Sequence, residues 1–141
     1  MQIHPSQKRS WVLLITSILL VLSNVRSIVF FLAMRNIWHH FQWYTLAYPM
    51  FLSIIGFAVG VIGIINWRRT SKVKVCFFIG LILLFFSLVE TVRFLILAFG
   101  YLAFDYFMLY EILITIFHQV TIIIYVISSY KFSRIHNESV I

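Results

Sequence analysis

Polar residues are sparse along this chain, and they gather into a few short gaps between long apolar runs. The runs cover roughly 11–34, 44–67, 73–99 and 106–130. Each exceeds the ~20 residues that an apolar helix needs to cross a bilayer. Only Pro49 interrupts them, near the start of the second, where the local backbone can readjust. The pattern predicts an all-α integral membrane protein. Four transmembrane helices form a compact bundle, with tails over 1–10 and 131–141. The third run is long for a hydrocarbon layer about 30 Å thick, which predicts tilt or fraying at its end. Lys8 and Arg9 precede the first run, as they would in a secretory signal. That run is too long for one, carries Arg26, and is followed by no small-x-small cleavage site.

Within each run the polar and small residues are not scattered. At 100° per residue, steps of four and three stay on one helical stripe. The first run carries Thr16, Leu20, Ser23, Ser27 and Phe30 on one stripe, and the third carries Gly80, Leu84, Ser87, Thr91 and Phe94. In the second run the stripe is Pro49, Ser53, Gly56, Gly60, Gly63 and Trp67. In the fourth it is Glu111, Thr115, His118, Ile122, Tyr125 and Ser129. Apolar bulk does not bring helices together in lipid; small residues and hydrogen-bonding groups do. The stripes are therefore expected to face one another. Gly56 and Gly60 form a GxxxG and should touch another helix backbone, within the bundle or between subunits. Shifting the chain by 64 places lays Ser23 on Ser87, Val25 on Val89, Phe30 on Phe94 and Arg26 on Glu90. This weak self-match suggests two repeated hairpins of the same orientation.

Composition supports the membrane reading. The chain has 141 residues, 62% apolar and 11% charged, with a mean hydropathy of +1.01. Soluble domains carry about a quarter charged residues. Charge then orients the bundle. Lys8, Arg9, Arg68, Arg69, Lys72, Lys74, Lys131 and Arg134 fall on one side, and only Arg35 on the other. The positive-inside rule predicts that both termini are cytoplasmic. Trp11, Trp38, Trp43, Tyr44, Trp67, Tyr101, Tyr106 and Tyr130 lie near span ends, as an interfacial aromatic belt does. The net charge of +7 is accounted for by this topology and needs no nucleic acid. Cys76 is a lone thiol, and the sequon at Asn137-Glu138-Ser139 falls on the cytoplasmic side.

Four charges lie inside the runs: Arg26, Glu90, Arg93 and Glu111. At 1.5 Å per residue they share a layer about 8–14 Å below the outer boundary. Each would cost at least a few kcal/mol facing lipid. They are expected to converge as ion pairs. Glu90 and Arg93 can pair along one helix, Arg26 can reach Glu90, and Glu111 can reach Arg93. Such a cluster is either a structural clasp or a ligand-binding site. Thr115, His118 and Tyr125 continue the polar stripe of the fourth run, with Gln119 beside His118. The other spans hold no second His at that depth, so an intrachain bis-histidine haem is not expected. His39, His40 and Asp105 are weak metal candidates.

No phosphate loop, CxxC, HExxH or nucleophile elbow is present. The expected function is a non-catalytic accessory or scaffold subunit of a larger membrane complex. Its partners would be membrane lipids and other integral membrane subunits, or a second copy. The alternative is a ligand-binding membrane module, a sensor or small transporter, using the outer charge layer. A second alternative is a metal or redox protein using His118 or the His39–His40 pair. No cofactor other than lipid is expected.

Overall fold

The computed structural model describes residues 10–33, 43–68, 72–100 and 106–138. They form four helices: α1 (Trp11–Ala33), α2 (Trp43–Asn66), α3 (Val73–Gly100) and α4 (Tyr106–Glu138), with no strand among the described residues. Each contains a stretch long and apolar enough to cross a membrane. Ser10 starts α1, its hydroxyl accepting the Leu13 N–H and its carbonyl the Leu14 N–H.

α3 stays helical through Gly100. α4 runs eight residues beyond the expected span end at Tyr130. Residues 131–138 contain no Pro or Gly. Polarity ends an apolar run, but only a backbone breaker reliably ends a helix.

The helices pack in a ring. α1 lies most extensively on α2 and α3 on α4, α1–α4 and α2–α3 contacts close the circle, and the backbones of the diagonal pairs stay apart. Because neighbours run antiparallel, the start of α1 and α3 lies beside the end of α2 and α4. This is the tail end of the bundle. Trp11 packs on Trp67 there, with centroids 5.1 Å apart, and Phe77 on Tyr130 at 5.4 Å.

The apolar core occupies the tail half. Leu13, Leu20, Val59, Val73, Cys76, Leu83, Ile122, Tyr125, Val126 and Phe132 form one buried cluster. Tyr125 is its centre. Its hydroxyl donates to the Val59 carbonyl at 3.3 Å. Its ring lies between glycines of two helices: a Cβ at Gly63 would come within 2.8 Å of Cε2, and one at Gly80 within 2.9 Å of Cε1. A Cβ at Gly60 would meet the Ser17 carbonyl oxygen at 2.9 Å, so α1 and α2 touch backbone to backbone there. Gly56 faces the Asn24 side chain of α1, 2.6 Å from where its Cβ would stand. All these glycines face partners inside the bundle.

Candidate functional site

The other half of the bundle is built differently. There the four stripes diverge around a cavity of about 390 Å³, near the small end of the range for ligand pockets. α1 contributes Ser23, Ser27 and Phe30, and α2 contributes Pro49, Leu52 and Ser53. α3 adds Ser87, Thr91 and Phe94, and α4 adds Ile114, Thr115, His118 and Gln119. Arg26, Glu90, Arg93 and Glu111 all stand in the same wall. Depth along each helix is what brings them together. They lie in the second half of α1 and α3 and the first turns of α4, at the end of the bundle away from the tails.

The expected convergence and the expected Glu90–Arg93 pair are present, but Arg26 has a different partner. Arg26 Nη2 donates to Glu111 Oε1 at 2.7 Å, and the same guanidinium lies 5.4 Å from the Tyr110 ring centroid. Glu90 Oε2 and Arg93 Nε approach to 3.4 Å within α3. Arg26 pairs with Glu111 in place of the expected Glu90. α1 and α3 are diagonal in the ring, so Arg26 meets α4 instead, and Glu111 turns toward α1. Depth was legible from sequence; the order of helices around the ring was not.

The remaining polar groups form two small networks across α4. On the α1 side, Ser23 Oγ and His118 Nδ1 are 3.0 Å apart. On the α3 side, Gln119 Nε2 donates to Thr91 Oγ1 at 2.6 Å, while Ser87 Oγ donates to Gln119 Oε1 at 3.2 Å. Gln119 therefore ties α3 to α4 through two hydroxyls. The stripe count passed over this role because Gln119 lies one position off the stripe. A long amide between two polar helices was the available signal.

Most hydroxyls around the cavity are committed in one direction. Ser23, Ser27, Ser53 and Thr115 bond to the carbonyls of Leu20, Ser23, Pro49 and Glu111 on their own helices. A hydroxyl that gives its proton backward keeps oxygen lone pairs for whatever lies in front. Glu90 Oε2 is shut off from solvent and receives no hydrogen bond, despite the nearby Arg93. The wall is thus rich in acceptors. Its charged side chains also retain exposure: 37% for Arg26 and 42% for Arg93, against 23% for Glu111 and 19% for Glu90. The cavity is not sealed, and its guanidiniums are more open than its carboxylates.

Of the other expected residues, Ser53, Thr115 and His118 line the cavity, while Tyr125, Gly60 and Gly63 belong to the packed half. His39, His40 and Asp105 lie outside the described residues. Among the described residues no three His, Cys, Asp or Glu side chains gather as a metal set. No family model, curated protein or solved structure matches the chain.

Proposed function

We propose that this chain is a multi-pass membrane protein, with both termini cytoplasmic, that binds a small polar or zwitterionic ligand in an outward-facing cavity. It is a sensor or small transporter. One observation carries the reading: all four intramembrane charges stand around one unsealed cavity of about 390 Å³. A purely structural clasp would be expected to close on itself, because open space beside charges forfeits packing. The eight-to-one distribution of Lys and Arg supports the orientation. In that orientation the cavity lies in the outer leaflet. The accessory-subunit reading rests on the missing catalytic motifs, the short loops and the exposed apolar side chains, and lipid would cover the last equally well.

Cysteine labelling tests both parts. In a Cys76→Ala background, Thr115→Cys should react in intact cells with a membrane-impermeant thiol reagent. Ser128→Cys, buried in the tail half, should not. An unreactive Thr115→Cys that becomes reactive only in permeabilised cells would reverse the orientation. A Thr115→Cys that stays unreactive in both would close the cavity and leave the scaffold reading.

A further inference from the structure

The tail end of the bundle concentrates positive charge on two helices that are packed together. Phe77 of α3 lies on Tyr130 of α4, with ring centroids 5.4 Å apart. The two helices run antiparallel, so the turn before Phe77 stands beside the turn after Tyr130. Val73, Cys76 and Phe132 belong to one buried cluster that holds these turns together. Lys72 and Lys74 flank Val73, Lys131 precedes Phe132, and all three are exposed. The helical continuation of α4 beyond Tyr130 is what carries Lys131 on a packed backbone. Arg68 borders the same end, its guanidinium 4.5 Å from the Trp67 ring centroid. Carboxylates are scarce there. Of the four acidic residues, Glu90 and Glu111 stand in the cavity wall, Asp105 precedes α4, and Glu138 alone follows the spans. One carboxylate offsets one cation at most. Like charges held close on packed helices repel, and an anion between them removes that cost.

We propose that the tail ends of α3 and α4 form a binding surface for the headgroup of an anionic phospholipid. Lys74 and Lys131 meet its phosphate from the two helices, and Lys72 and Arg68 add to the field. Trp11 and Tyr130 are exposed at this end, and such rings settle at the depth of the headgroups. The cations beside them therefore stand among lipid phosphates. Lysine stems can lie along the apolar surface while their ammoniums reach that layer. Phosphatidylcholine brings a quaternary ammonium of its own to the same place and gains less. Any basic residue beside a span attracts anionic lipid; two packed helices that present their cations together turn that attraction into a site. The surface lies at the opposite end from the cavity, so the proposal rests on the membrane reading and on nothing inside the cavity.

The experiment offers the intact chain equimolar phosphatidylglycerol and phosphatidylcholine in mixed micelles. Free lipid is removed by gel filtration, and the lipid retained is quantified by mass spectrometry. Phosphatidylglycerol should exceed phosphatidylcholine roughly tenfold, as expected when at least two cations face one headgroup. Lys74→Gln with Lys131→Gln should bring the ratio close to one. Lys8→Gln with Arg9→Gln removes the same charge from the same side and should leave the ratio near its original value. Lys74→Arg with Lys131→Arg keeps the charge and should keep the ratio. Equal losses in the two Gln pairs would mean a diffuse field and overturn the site. So would an unselective native chain, or a loss in the Arg pair as large as in the Gln pair. Sodium phosphate and sodium chloride at matched ionic strength should weaken retention alike. Displacement by phosphate alone would make the occupant a free phosphate and overturn the lipid. Labelling of Thr115→Cys reads the cavity separately, so a failure here and a failure there are distinguishable.

Discussion

The two halves of this bundle use the same helices to opposite ends. In the tail half, glycines on α2 and α3 draw the helices onto Tyr125 and onto the α1 backbone, and little space remains. In the far half, the same stripes carry Ser, Thr, Arg and Glu, and the helices stand around a cavity. Along α2 the change comes at Gly56, where the nearest atoms are those of the Asn24 amide. The contrast shows how an apolar chain builds a polar site. Close backbone contact at one end fixes the helices well enough that the other end can hold charges apart.

The two halves should respond differently to added bulk and to lost charge. The largest effect is expected from Gly60→Leu. A Cβ alone would stand 2.9 Å from the Ser17 carbonyl and 2.8 Å from Val21 Cγ2. The full side chain must push α1 from α2, at about 3 kcal/mol or more. Thermal unfolding in detergent checks this, and an unchanged midpoint would mean that the tail half is not tightly packed.

A smaller loss is expected from Glu111→Gln, which strands Arg26. Breaking a fully buried pair costs about 3–5 kcal/mol. The exposure of both side chains brings this nearer 1–2 kcal/mol. In a double-mutant cycle, Arg26→Met and Glu111→Gln should couple, and Arg26→Met with Glu90→Gln should couple much less. The reverse ranking would restore the pairing that sequence depth alone suggested. Smallest of all is the expected effect of Ser27→Leu, at about 0.5 kcal/mol or less. The added side chain enters existing space. A loss as large as that of Gly60→Leu would erase the distinction between the halves.

Much of this division was legible in the sequence. Steps of three and four placed Ser23, Ser27, Ser87, Thr91, Thr115 and His118 on inward stripes, and all of them line the cavity. Counting 1.5 Å per residue put Arg26, Glu90, Arg93 and Glu111 in one layer. Hydropathy located the helices, apart from the extension of α4 to Glu138. Helix order around the ring was not legible. An apolar run carries no information about which neighbour it meets, so Arg26 was matched to Glu90 and not to Glu111. The purpose of Gly63 and Gly80 was also hidden, because it depends on a Tyr125 ring reaching between them from a third helix.

Water is the reagent that separates the two halves most directly. Hydroxyl-radical footprinting of the native protein in nanodiscs oxidises aromatic rings that water reaches and spares rings in lipid or in a dry core. Phe94, in the cavity wall, should be oxidised, and Tyr125, buried in the packed half, should be protected even though a phenol is the more reactive ring. Equal protection of Phe94 and Tyr125 would contradict an open polar cavity at the far end of the bundle.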